Sequence, residues 1–137
     1  MRVFVDTNIL LDVALRRGEF FGASMKCLSW CEETSHETFI AWHSISNLFY
    51  IANRSSGREV ALEYIEDLVS WVDIAPATKR EVVKALSEPG TEVVDTLQMR
   101  CAESAGCDAL ITRNPNDFKL TQIPVFSPLD FCAEFID

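Results

Sequence analysis

The chain is 137 residues long, is 48% hydrophobic and carries a net charge of −9. That length can bury a core without disulfide or metal staples, and the acidic balance argues against a protein that grips nucleic acid through a broad basic surface. No apolar stretch reaches membrane-spanning length, and Asp6 falls too early for a secretory signal core, so a cytoplasmic protein with no membrane partner is expected.

No internal repeat or linker interrupts the sequence, which predicts one domain over residues 1–137. Short apolar runs alternate with longer amphipathic ones, the pattern of a mostly parallel sheet covered by helices. The first strand spans Arg2 to Asp6, with Val3, Phe4 and Val5 consecutive and apolar, as in a strand buried on both faces. A helix follows from Thr7, and a second runs from Glu19 to Glu33. Thr38 to Trp42 reads as the next strand. The helix after it begins near Ser44, with Ile45, Leu48, Phe49 and Ala52 at core spacing.

Three capping signals mark later helices. Ser56-Gly57-Arg58-Glu59 and Thr78-Lys79-Arg80-Glu81 have capping-box form. Ser127-Pro128-Leu129-Asp130 sets a serine before a first-turn proline. Between them the sequence predicts a strand near Val72 to Ala75 and a turn at Pro89-Gly90. A helix from Glu92 to Ala105 follows, with Val94, Leu97, Cys101 and Ala105 as its buried stripe. Asp108 to Thr112 and Pro124 to Phe126 complete the strands.

The five cysteines, Cys27, Cys31, Cys101, Cys107 and Cys132, form no CxxC pair, and only His36 and His43 could join them in a zinc site. Buried thiols in a reducing compartment are expected. Trp30, Trp42 and Trp71 read as core or interface packing, and neither histidine is given a role.

In an open parallel sheet, ligands bind beyond the carboxyl ends of the strands. Asp6 ends the first strand there, and the loop Arg113-Asn114-Pro115-Asn116-Asp117 leaves the strand before it on the same edge. Asn47 follows the second strand, and the helix carrying Glu92 and Asp95 begins at that edge. Four segments thus bring Asp6, Asn47, Glu92, Asp95, Asn114 and Asp117 to one rim. Two like charges about 4 Å apart cost about 4 kcal/mol at an effective dielectric near 20, so protons or a cation must settle the site. All-oxygen donors suit Mg²⁺ or Mn²⁺, and phosphodiester hydrolysis is the natural chemistry of such an ion.

Each residue also has a plain structural reading. Asp6 could cap the helix that starts at Thr7, and Glu92 and Asp95 could be first-turn acids. Asn47 could be a helix-start residue, and Asn114 and Asp117 turn formers. Arg113 suits a phosphate contact or an ion pair.

Asp6-Thr7-Asn8 after an opening strand resembles the start of PIN-domain proteins. Glu92-Val93-Val94-Asp95-Thr96-Leu97-Gln98 is similar to that family's D-x-x-D-a-x-q segment. Ile111 to Phe118, ITRNPNDF, resembles its T-R-N-x-x-D-F closing motif. The likeness covers essentially the whole chain, including Leu48-Phe49-Tyr50-Ile51 and Ile123 to Pro128, and points to the small toxin-like (VapC-type) branch.

The resemblance implies a three-layer α/β fold and a metal-dependent endoribonuclease acting on RNA. It makes Asp6, Asp95 and Asp117 catalytic acids, and the same three with Asn114 ligands for Mg²⁺ or Mn²⁺. Asn47, Glu92, Asn8 and Arg113 would form the surrounding shell. Many family members carry an acid where this chain has Asn47, although one branch with a Ser-x-Thr/Ser-Asn-x-x-Tyr-Ile pattern looks similar. The branch also implies a homodimer and an antitoxin protein as partners. The competing readings are a catalytically weak PIN domain serving as an RNA- or protein-binding module and a structure-selective DNA nuclease. The second lacks room for a helical arch or DNA-binding insertion.

Overall fold

In the computed structural model every residue is described except Thr34 and residues 89–91. The expected turn at Pro89-Gly90 therefore lies outside the described residues. Strand β1 (Arg2–Val5) leads into helices α1 (Thr7–Ala14) and α2 (Gly18–Cys31). Next come β2 (Glu37–Ile40), α3 (Trp42–Ser56), α4 (Arg58–Val69), β3 (Asp73–Ile74), α5 (Lys79–Leu86) and α6 (Val93–Ser104). After β4 (Ala109–Ile111) come a 3₁₀ turn (Pro115–Asp117), β5 (Val125–Phe126) and α7 (Pro128–Phe131) with a π-helical turn behind it.

The five strands form one parallel sheet in the order β3-β2-β1-β4-β5. β1 lies at its centre, with Val3 opposite Thr38 on one side and Ala109 on the other. Its side chains alternate between two cores. Val3 and Val5 face a layer built from α1, α2, α3 and α7, where Ile9, Leu10, Leu28, Leu48 and Phe131 are buried. Phe4 faces the opposite layer, formed largely by Met99, Cys101 and Ala102 of α6 and by Ala105 just after it. The result is a three-layer α/β fold. Phe4 is fully enclosed, so Phe4→Ala would cost about 3–5 kcal/mol in lost burial and an unfilled cavity. All five cysteines are free thiols in buried positions.

Local signals explain several boundaries. Thr78 caps α5 through the expected reciprocal pair, its side chain accepting from Arg80 N at 3.2 Å while Glu81 Oε2 accepts from Thr78 N at 2.7 Å. Ser127 caps α7 by accepting from Asp130 N. Ser56 does not cap α4. It is the last residue of α3, and Gly57 occupies the cap position at φ 89, a left-handed conformation that a side chain would disfavour.

Two further expectations shift. Trp42 opens α3 instead of closing β2, and it is 71% exposed, so it is not a core residue. On α6, Val94 is exposed and Leu97 half-buried, while Thr96, Gln98 and Arg100 are buried beside Met99 and Ala102. That helix buries polar groups because partners await them. Arg100, for example, reaches Glu103, Glu88 and the Leu120 carbonyl.

Candidate functional site

Asp6 follows the last residue of β1, where its backbone N–H still donates to the Ile111 carbonyl at 3.0 Å. It holds the cap position of α1, yet its side chain makes no capping bond. Instead Gln98 Nε2 donates to Oδ1 at 2.6 Å and Thr112 Oγ1 to Oδ2 at 2.8 Å. The plain capping reading of this acid thus fails. Asp6 is only 2% exposed, its carboxylate held by a side chain from α6 and another from just beyond β4.

A second layer fixes those two donors. Gln98 Oε1 accepts from Thr7 N at 3.3 Å, which orients its amide toward Asp6. Thr112 Oγ1 accepts from Asn114 N at 3.2 Å, tying the loop after β4 to the same acid. Thr7 Oγ1 also meets Ser44 Oγ at 2.6 Å, joining α1 to α3.

A cleft of about 280 Å³ opens beside Asp6, lined by Thr7 and Asn8 of α1, Asn47 and Ile51 of α3, and Asp95 and Gln98 of α6. The structure therefore brings Asp6, Asn8, Asn47 and Asp95 to one cavity. Its lining holds acids and no basic group. Burial pushes the Asp95 carboxyl up to about 6, with the charges of Glu92, Asp6 and Asp117 adding to the effect.

Asp117 stands exposed on the 3₁₀ turn, where its charge is felt at Asp95, but neither it nor Asn114 lines the cleft. Glu92 caps α6 by accepting from Asp95 N at 3.0 Å, as an ordinary helix-start acid would. Among the described residues no Lys or Arg pairs with Asp6, Asp95 or Asp117. Nor, among those residues, are three His, Cys, Asp or Glu side chains set to enclose a metal ion.

Arg113 points away from this cleft. Its Nε lies 3.2 Å from Asp12 Oδ2, and its guanidinium sits 4.3 Å from the Phe20 ring centroid. Of its two sequence readings, the ion pair is the one observed. Asp12 itself went unnoticed in the sequence, although an isolated acid in the apolar run Leu10-Leu11-Asp12-Val13 was a signal. It is fully buried, and burial raises its pKa despite the opposing charges of Arg113 and Arg17. Thr112, Thr7 and Ser44 were also missed. Gln98 had a signal, as a polar residue near the middle of a helix that faces the sheet.

A family model described as PIN domain matches residues 2–116. No match is found among curated proteins. Among solved structures, the chain is similar to VapBC2 from Rickettsia felis bound to a DNA fragment from their promoter. The TM-score is 0.70 at 16% identity, covering 93% of this chain and 98% of that one. DNA-bound VapBC from Salmonella typhimurium gives 0.68 at 18% identity, with 93% and 98% covered. VapC20 of Mycobacterium tuberculosis, a Sarcin-Ricin loop cleaving toxin, gives 0.62 at 16% identity over 79% and 86%. At such identities the structural likeness speaks for the fold alone, while the sequence match runs through β1, α6 and β4, and on these grounds the chain belongs to the PIN-domain family.

Proposed function

We propose that the chain is a divalent-metal-dependent endoribonuclease that hydrolyses RNA phosphodiester bonds, the toxin component of a toxin–antitoxin pair. The observation that carries this reading is the Asp95 carboxyl, pushed up to about 6 in a cleft whose lining holds acids and no base. Such a field is settled by a cation, and oxygen donors without His or Cys suit Mg²⁺ or Mn²⁺. Mg²⁺ commonly takes one or two protein carboxylates and completes its shell with water and substrate phosphate.

Asp6 and Asp95 would hold the ion, with Asp117 and Asn114 contributing from the loop after β4. When bound, the ion supplies a water of lowered pKa and offsets charge on the phosphoryl oxygen. Gln98 and Thr112 lock the plane of the Asp6 carboxylate, whose oxygens each keep a lone pair for a further partner. Asn47 and Asn8 present neutral amides on the cleft wall, able to orient a water or a phosphate without adding charge. Glu92 holds the first turn of α6 in place and so positions Asp95.

The toxin assignment is supported by structural neighbours that are VapBC or VapC proteins. It carries with it an antitoxin partner and a homodimer. The reading is tested by incubating the purified protein with labelled single-stranded RNA in Mg²⁺, in Mn²⁺ and in EDTA. Cleavage should require metal and disappear in Asp6→Asn and Asp95→Asn. RNA that stays intact with either metal overturns it. Asn47 in place of an acid, and the missing three-group cage among the described residues, favour a second reading as a weakly active RNA-binding module. Retention of RNA on a gel without cleavage would mark that case.

A further inference from the structure

Asp12 is a fully buried acid that the chemistry of the cleft leaves unused. It lies on α1, the helix that Asp6 precedes. Two arginines answer its charge, Arg113 with Nε 3.2 Å from Oδ2 and Arg17 with Nη1 3.8 Å from Oδ1. Burial still raises the Asp12 pKa against both of them, so enclosing the charged form works against stability. A buried ion pair is weak evidence for a stabilising role, and its best-attested use is to fix the placement of the parts it joins.

The part that Arg113 joins to α1 is the loop after β4. Thr112, just before Arg113, donates its hydroxyl to Asp6 Oδ2, and Asn114, just after it, donates its N–H to Thr112 Oγ1. The Asn114 carbonyl in turn accepts from Asp117 N at 3.0 Å. Phe118 then ends the loop, buried in the same core layer as Phe4 and Met99. The loop therefore has one anchor on each side of the sheet. Arg113 is fixed to Asp12 on the α1 side, and Phe118 is buried on the α6 side. Asp117 stands between them, and its charge acts on Asp95.

We propose that the Asp12–Arg113 ion pair is a positioning device for the cleft, tying the start of the loop after β4 to α1 and so holding Thr112 against Asp6 and setting the place of Asp117. Neither residue lines the cleft, so both act through others. The effect on metal binding rests on the metal-dependent ribonuclease reading, whereas the effect on the loop does not.

The test uses the full chain at neutral pH with Asp12→Asn, Arg113→Lys, Arg113→Gln and the double variant Asp12→Asn/Arg113→Gln. Two-dimensional proton–nitrogen NMR in EDTA follows the amides of Thr112, Asn114 and Asp117 without metal. These signals should move or broaden in Asp12→Asn and in Arg113→Gln, while those of Val3 and Phe4 stay in place. Arg113→Lys keeps the charge and should remain close to the parent. The double variant should match Arg113→Gln, because the pair is already broken there. It also stands in for Arg113→Gln if the unpaired Asp12 keeps that variant from folding. A titration with Mg²⁺ alone, read on the same amides, should show a midpoint raised about tenfold in Asp12→Asn, the usual cost of losing a group that orients metal ligands.

Loop amides that stay in place in Asp12→Asn overturn the proposal, even if the melting temperature changes, because the pair then serves the fold alone. Loop amides that move while the Mg²⁺ midpoint does not overturn it as a device for the site. A parent that neither binds Mg²⁺ nor cleaves RNA removes the ribonuclease reading, and the comparison in EDTA still decides whether the pair anchors the loop.

Discussion

Thr112→Val isolates one donor to the buried acid at almost constant shape. The hydroxyl donates to Asp6 Oδ2 at 2.8 Å and accepts from Asn114 N at 3.2 Å, and Thr112 is fully buried. A hydrogen bond to a charged group contributes about 1.5–3 kcal/mol, and the Asn114 amide can turn to water, so the net loss is about 2 kcal/mol. For a chain of this size that lowers the melting temperature by about 5–8 °C. Thermal melts in EDTA, followed by circular dichroism, measure it directly. Thr112→Ser keeps the hydroxyl and should lose only a methyl, about 1 kcal/mol. The decisive comparison is a double-mutant cycle with Asp6→Asn. If the bond matters because the acceptor is charged, Thr112→Val should cost roughly half as much when combined with Asp6→Asn. An equal cost with and without Asp6→Asn, or a melting temperature within about 1 °C of the parent, would refute the account of how Asp6 is held.

Other outcomes follow from the same site. Millimolar Mn²⁺ should raise the melting temperature of the parent, and EDTA should reverse it, because the ion binds only the folded state; Asp6→Asn should lose the response. Asn47→Asp adds one charge to the cleft wall and should lower the Mg²⁺ midpoint for RNA cleavage with the maximal rate preserved; an unmoved midpoint would leave Asn47 a helix residue. Asp12 has a raised folded-state pKa, chiefly from burial, so the native state holds its proton longer than the unfolded chain does. Its contribution is complete below the unfolded pKa and is lost as pH rises through the folded one. Asp12→Asn should therefore compare more favourably with the parent at pH 8 than at pH 4 in paired melts, and a constant difference would contradict this. Phe20, Met25 and Tyr50 stay exposed, as a homodimer surface on α2 and α3 requires, whereas Leu28 and Leu48 belong to the core. Light scattering at micromolar concentration should report a dimer, and a species of 15.4 kDa alone would exclude it.

The elements were readable wherever a local rule decides the outcome. Val3-Phe4-Val5 could only be a strand enclosed on both faces, and Thr78 with Glu81 could only cap a helix. Errors arose where a distant partner overrides the local rule. The period of α6 favoured Val94 and Leu97 as buried, yet Gln98 and Arg100 take the interior because Asp6, Glu103 and the Leu120 carbonyl receive them. Ser56 had the chemistry of a cap, but α3 runs through it and Gly57 makes the bend. For the candidate site, topology put Asp6, Asn47, Glu92, Asp95, Asn114 and Asp117 on one rim, and of these Asp6, Asn47 and Asp95 line the cleft, joined by Asn8, which only the family resemblance had suggested. Topology could not tell that Asp6 is gripped by Gln98 and Thr112, because hydrogen-bond geometry across α6 and β4 is invisible to spacing.

The place of β1 in the sheet has a consequence in time. Val3 pairs with Thr38 and with Ala109, and Asp6 takes its two side-chain donors from Gln98 and Thr112. During synthesis the first strand leaves the ribosome with one neighbour still unmade, and Asp6 waits roughly 5–20 seconds for Thr112 to be added at ordinary elongation rates. Until then the acid has no fixed orientation and no cleft to face. A nascent or truncated chain that stops before β4 thus lacks one of the two donors that fix Asp6, and the proposed nuclease site is complete only after the ribosome has passed the codon for Thr112.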